Sequence, residues 1–187
     1  MQESLFHLSE DRHINLFNPL PASFYPGVIM RDVVFAVNDK MQHNYLLPRN
    51  CPRVSFYDGP QTTDSDRHQF LENSTARFVV CVESSWINEI QRTTLFRYEF
   101  PSDSFTLLDE CAGYFISHVP VTPIRVTPIY NLMEEMLRRD VELRFMPSII
   151  ELGEEVTRST LNYSLIRMKY AKTNPGSHQE VEKRRKF

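Results

Sequence analysis

The chain is poor in glycine, with only five glycines among 187 residues. It contains neither a GxGxxG nor a GxxxxGK[ST] segment. Both of these phosphate-binding loops need glycine where the backbone approaches a phosphate group. The sequence therefore excludes nucleotide binding of the Rossmann or P-loop kind.

Cysteine is also scarce, and its spacing matches no known metal or disulfide framework. The three cysteines, Cys51, Cys81 and Cys111, are an odd number and form no CxxC pair. The six histidines form no HxxxH or HxH pair, so no metal site is predicted. This cysteine usage is typical of a soluble, reduced, cytoplasmic protein.

Long apolar runs and a strong charge of one sign are absent as well. The most apolar windows, such as RFVVCVES, are far shorter than the ~20 residues that a membrane-spanning helix needs, and no secretory signal is visible. A net charge of −3 argues against nucleic acid as a partner. We therefore expect no membrane association, and any basic site must be local.

Proline is the residue that the chain has in excess, with 12 copies, many of them at the ends of short apolar runs. Such runs are typical of strands that end at rigid turns. The pattern predicts an α+β fold, with one or more mixed, mostly antiparallel sheets and a few short peripheral helices. We expect one globular domain over residues 1–171 and a polar, disordered tail over residues 172–187.

Several local predictions follow from the alternation of side chains and from helix-capping residues. SLFHLSE is predicted to be a strand that projects His7 away from Phe6 and Leu8, and NYLLP a further short strand. A short helix is predicted within TTDSDRHQFLEN, with Asp64 or Ser65 as its cap, and another within NLMEEMLRRDV, with Asn131 as its cap.

The segment HNYLLPRNCPRVSFY is the most distinctive part of the sequence. Arg49 and Arg53 lie close to Pro48 and Pro52, which limit the freedom of the backbone. Guanidinium groups held in this way could bind a phosphate or carboxylate. The alternative is an ordinary turn with solvated or ion-paired arginines. Cys51, between the arginines, is either an activated thiol or a packing residue.

Other candidate residues each have a functional and a structural interpretation. His7 could line a cleft or be a satisfied histidine. The segment NSTARF, with Ser74, Thr75 and Arg77, could bind an anion or form an ordinary turn. In VELRF, Glu142 and Arg144 share one face of a strand, so Glu142 is either a base in a polar cleft or a solvated residue.

The segments LFHLSED, NYLLPRNCPRV, STARFV, LFRYEF, VELRFMPS and SLIRMKYA together resemble a small family of bacterial proteins of unknown function. The resemblance covers roughly residues 5–171, and LPRNCPR and STAR are its most specific pieces. Members of this family usually have Asp where this chain has Asn50. The resemblance implies no particular activity.

The chain also resembles the ADP-ribosyltransferase-like fold, in the strand LFHLSE with its histidine and in a late strand with a glutamate, VELRFMPSI. This resemblance implies NAD as the candidate cofactor, with His7 at a ribose and Glu142 assisting transfer. It further implies that Arg49, Arg53 or Arg77 holds the pyrophosphate and that Tyr45 stacks on the nicotinamide.

Two hypotheses about function follow. The first is a protein that binds a small anionic ligand or nucleotide, with ADP-ribosyl transfer as its sharper form, in a cleft lined by His7, Tyr45, Arg49, Arg53, Ser74, Thr75, Arg77 and Glu142. The second is a non-enzymatic structural or interaction module that forms homodimers. The sequence leaves open whether any catalysis takes place.

Overall fold

The computed structural model describes residues 4–21 and 31–172. Contacts between Cα atoms divide the chain into two compact units, one of residues 1–49 and 91–139 and the other of residues 50–90 and 140–187. The single domain expected over residues 1–171 stays a prediction. The disordered tail was predicted for residues 172–187; of these, residues 173–187 lie outside the described residues.

The fold is α+β, as the sequence predicts. The described residues form ten strands: β1 (Leu5–Ser9), β2 (Val34–Asn38), β3 (Arg53–Tyr57), β4 (Phe78–Glu83), β5 (Leu95–Phe100), β6 (Thr106–Asp109), β7 (Tyr114–Ser117), β8 (Arg125–Ile129), β9 (Val141–Met146) and β10 (Asn162–Ile166). The α-helices are α1 (Asp64–Leu71), α2 (Ile87–Arg92), α3 (Leu132–Arg138) and α4 (Ile150–Arg158). The same part of the chain contains three short 3-10 helices, Asp39–Tyr45, Ser84–Trp86 and Met168–Tyr170. None of the helices in the described ranges is long and apolar enough to cross a membrane.

The first unit is built on a six-stranded sheet of order β6-β7-β2-β1-β5-β8, in which all neighbouring strands are antiparallel. One face of this sheet carries the hydrophobic core of the unit. The core consists of side chains that alternate along the central strands, joined by two residues from loops: Leu5, Val34, Ala36, Tyr98, Phe100, Phe17 and Val121. His7 projects toward this face, because it is two residues from Leu5 on the same strand.

Helix α3 lies on the opposite face of this sheet. Arg97, which is opposite Leu8 in the strand register, pairs with Glu135 of α3 at 3.6 Å. Arg139 donates from Nε to Glu135 at 3.0 Å and from Nη1 to the Asp39 carbonyl at 2.9 Å. These contacts fix the 3-10 helix Asp39–Tyr45, which leads along the chain toward Arg49.

The second unit is built on a four-stranded sheet of order β10-β3-β4-β9, in which only β4 and β9 are parallel. Helices α1 and α4 pack on one face of it. The buried residues of this core are Val54, Phe56, Phe70, Val79, Cys81, Ile149, Val156 and Leu161. Burial of these apolar side chains is the main source of stability for such a layer.

Two of the local predictions are wrong. NYLLP is not a strand, because the Asn38 side chain accepts a hydrogen bond from the Met41 N–H and turns the chain into a 3-10 helix directly after β2. Helix α1 is capped by Thr63, whose hydroxyl accepts from the Asp66 N–H at 3.3 Å. Asp64 instead lies in the first turn, where the helix dipole favours a carboxylate.

Other local predictions are confirmed. Strand β1 includes His7, and the side chain of Asn131 caps α3 by accepting from the Glu134 N–H at 3.2 Å. Glu142 and Arg144 lie on one face of β9 and form an ion pair.

The start of the 3-10 helix Asp39–Tyr45 depends on close packing against Gly113. This glycine has a positive φ of 64°, and its carbonyl accepts from the Asn38 N–H at 3.0 Å. A Cβ atom there would lie 2.6 Å from Asn38 Oδ1 and 2.7 Å from Met41 Cγ. Rotation of the buried Met41 would leave the contact with Asn38 in place. The positive φ angle would also remain strained for any residue with a Cβ atom.

We expect Gly113→Ala to lower the free energy of unfolding by about 1–3 kcal/mol, measured by chemical denaturation. Gly153→Ala is the comparison, since Gly153 lies within α4 and its new methyl group would first meet the flexible end of Met168 at 3.3 Å. That variant should stay within about 1 kcal/mol of the wild type. Equal losses in the two variants would contradict the argument.

Candidate functional site

His7 occupies a gap in the central part of the six-stranded sheet. Strand β1 pairs with β5 at all five of its residues, from Leu5 to Ser9, but with β2 only at Leu5 and Phe6. Beyond Phe6, β1 and β2 no longer pair. There the His7 ring contacts β2 instead, and its Nδ1 lies 3.1 Å from the Phe35 carbonyl oxygen. The side chain is half-buried.

This contact determines which nitrogen of the His7 ring carries the proton. A carbonyl oxygen can only accept, so Nδ1 is the donor and Nε2 of the neutral ring is left with a lone pair. Burial lowers the pKa of His7, and the nearby positive charge of Arg49 lowers it further, although the hydrogen bond to Phe35 opposes both. The ring is therefore neutral at neutral pH, and within the described residues Nε2 has no hydrogen-bond partner.

The rings around His7 hold its plane in place. Its centroid lies 4.9 Å from that of Phe17 and 6.5 Å from that of Phe100. Phe17 in turn contacts Phe100 and Tyr98 edge-on, at 4.9 and 5.0 Å. An imidazole packed in this way has little freedom to change its orientation.

Arg49 is exposed and lies at a turn that follows the 3-10 helix Asp39–Tyr45. Its backbone N–H donates to Oε1 of Glu10 at 2.8 Å. The Arg49 side chain is close enough to His7 for its charge to influence the pKa of the ring. The charge of Arg49 therefore acts on the ring of His7, and both residues are among those that the sequence singles out.

The segment that carries Glu10 is itself fixed by a buried hydroxyl. Tyr98 is fully buried, donates from its hydroxyl to the Asp11 carbonyl at 2.7 Å, and accepts from the Ile14 N–H at 3.2 Å. The Asp11 N–H donates to the Ser9 hydroxyl at 3.1 Å. Glu10 therefore projects from a well-ordered turn.

Tyr45 lies elsewhere in the first unit. Its hydroxyl donates to the hydroxyl of Tyr114 at 2.5 Å. In the strand register Tyr114 is opposite Val37, and Val37 is opposite Phe6, so Tyr114 lies on the face of the sheet away from His7. The expected stacking of Tyr45 on a nicotinamide ring stays a prediction.

Arg53 and Cys51 are part of the interior. Arg53 is 3% exposed, is the first residue of β3, and donates from Nη1 to the Cys51 carbonyl at 2.8 Å. Cys51 is fully buried, and this burial raises the pKa of its thiol to about 12. A thiol of this kind is protonated at neutral pH, so Cys51 is a packing residue and not a nucleophile.

The remaining predicted site residues belong to the second unit. Ser74 hydrogen-bonds Glu142, and Arg144 donates from Nε to Glu142 Oε1 at 2.6 Å; the contact with Arg144 is the largest cause of the lowered pKa of Glu142. Thr75 is exposed, and Arg77 is exposed with its guanidinium 5.3 Å from the centre of the Phe78 ring. Glu142 is therefore an ionised, paired carboxylate, which makes it a weak base.

Sequence reasoning missed Glu10 and the Phe35 carbonyl. The only local signal for Glu10 was the turn Ser9-Glu10-Asp11 after β1, which gives no indication of a partner 39 residues away. Among the described residues no group of three or more His, Cys, Asp or Glu side chains is placed to hold a metal ion.

The chain belongs to a family of unknown function, DUF6886, which matches residues 6–171. No curated protein and no solved structure matches it. The resemblance to a family of unknown function is therefore confirmed, and the likeness to the ADP-ribosyltransferase-like fold stays a hypothesis.

The lowered pKa of His7 predicts how stability depends on pH. Because the unfolded chain binds a proton near pH 6.5 and the folded chain only at lower pH, stability falls as the pH decreases through 6.5. We expect His7→Asn, which keeps a donor near the Nδ1 position but does not titrate, to lose less stability than the wild type between pH 7.5 and 5. Urea denaturation at each pH measures this difference, and identical pH profiles would contradict a His7 ring that is neutral because its pKa is lowered.

Proposed function

We propose that the first unit of this member of the DUF6886 family binds a ribonucleotide, with a ligand hydroxyl at His7 and a phosphate at Arg49. The observation that supports the proposal is a neutral histidine, with its proton held on Nδ1, whose pKa is lowered in part by the charge of an exposed arginine, Arg49.

The two side chains offer opposite hydrogen-bonding roles. Nε2 of His7 can only accept, so it suits a hydroxyl and disfavours an anionic oxygen. The Arg49 guanidinium can only donate and carries a positive charge, so it suits a phosphate. A ligand that satisfies both must contain a hydroxyl and an anionic group within a few bonds of each other. The ribose and phosphate of a nucleotide have this combination.

NAD is the sharper candidate, because its pyrophosphate lies between two riboses. ADP-ribosyl transfer would break the bond between the nicotinamide nitrogen and the ribose, release nicotinamide, and pass the ribosyl carbon to an acceptor nucleophile. Binding is the first claim, and release of nicotinamide from NAD in the presence of the protein is the test of this extension.

The test of binding is a titration of ADP, ADP-ribose and NAD followed by calorimetry and by melting temperature. Arg49→Gln should weaken ADP binding by about 10- to 100-fold, the range for one hydrogen-bonded charge. Arg138→Gln is the matched control: it removes the same charge from α3, on the side of the sheet opposite His7. That control should bind as the wild type does.

The hydroxyl contact has its own test. His7→Asn should weaken ADP binding by about 3- to 10-fold, the value of one neutral hydrogen bond, and should bind 2′,3′-dideoxy-ADP as the wild type does. If the wild type shows no shift in melting temperature with any of these nucleotides at millimolar concentration, the proposal is wrong. That outcome would favour the non-enzymatic interaction module.

A further inference from the structure

Glu10 lies at the base of the Arg49 side chain. Its Oε1 accepts the Arg49 backbone N–H at 2.8 Å, although the two residues are 39 positions apart in the chain. Glu10 and His7 belong to the same short segment, three residues apart. One segment therefore provides the ring at the proposed site and the carboxylate that anchors the arginine.

The anchoring is effective because both ends of the contact are restrained. Glu10 precedes Asp11, whose carbonyl is held by the buried Tyr98 hydroxyl. Arg49 follows the buried Pro48, whose ring fixes the backbone φ angle there. A hydrogen bond between two restrained segments costs little ordering entropy, so it can set the position of the Arg49 Cα relative to His7.

The charge of Glu10 by itself would oppose binding of an anion. A carboxylate next to a phosphate-binding guanidinium repels the phosphate and competes for the positive charge. Its direct contact, however, is with the backbone amide of Arg49. We therefore expect Glu10 to affect ligand binding through the position of Arg49 and not through its own charge.

We infer that Glu10 is a positioning residue for ligand binding, which sets the position of Arg49 relative to His7 through the hydrogen bond to the Arg49 backbone amide. The inference rests on the proposed function. It predicts that the acceptor oxygen of residue 10 matters for nucleotide affinity and that its charge does not.

The experiment compares Glu10→Gln with Glu10→Ala, using ADP as the ligand. Gln keeps an acceptor oxygen at the same reach, so its dissociation constant should stay within about 3-fold of the wild type. Ala removes the acceptor, and affinity should fall by about 5- to 10-fold. Combining Glu10→Ala with Arg49→Gln should weaken binding by less than the product of the two single effects, because both act on one contact.

A measurement without ligand tests the same contact. In ¹H–¹⁵N spectra the Arg49 amide signal should move in Glu10→Ala, which loses the acceptor oxygen, and should stay close to its wild-type position in Glu10→Gln, which keeps one. Similar affinities of Glu10→Ala and the wild type, or a gain of affinity in both variants, would overturn the inference while leaving nucleotide binding intact. If the wild type binds no ADP, ADP-ribose or NAD, the proposed function fails and the inference fails with it.

Discussion

The divergence of β1 from β2 is the constraint on which the proposed site depends. Two antiparallel strands that stayed paired along their length would satisfy each other's backbone groups and leave no role for a ring nitrogen. Because β1 remains paired with β5 but leaves β2 after Phe6, the Phe35 carbonyl is available to His7 Nδ1. The divergence of the two strands thus determines the tautomer of His7. The tautomer in turn determines which kind of ligand group the ring could bind.

The neutral form of His7 is maintained by its surroundings. Phe17 and Phe100 exclude water from part of the ring, and the Arg49 charge acts in the same direction. Each of these would weaken a site in which the histidine had to be charged. In the proposed site the two tasks are separate, since the arginine would provide the charge and the histidine an uncharged acceptor. The proposed site would therefore distinguish a hydroxylated anion from a simple one.

Much of the fold is local and could be predicted from the sequence. Alternation along β1 predicts that His7 lies on the face opposite to that of Phe6, and Asn131 is correctly predicted as the cap of α3, which begins at Leu132. The site could be predicted only in part, because its defining contacts are long-range. Glu10 meets Arg49 across 39 residues and His7 meets Phe35 across 28. Neither contact leaves a periodic pattern, and the divergence of two strands is a property of the folded sheet.

The two arginines of LPRNCPR show why residue type alone does not identify a binding group. Arg53 begins a strand whose next residues are buried, so its side chain is buried with them and its guanidinium donates to the Cys51 carbonyl two residues earlier. Arg49 falls at the preceding turn, where the backbone is restrained and the side chain is exposed. The same chemical group stabilises the interior in one case and faces the solvent in the other. Position relative to the strand end makes this difference, which is why Arg49 belongs to the proposed site and Arg53 does not.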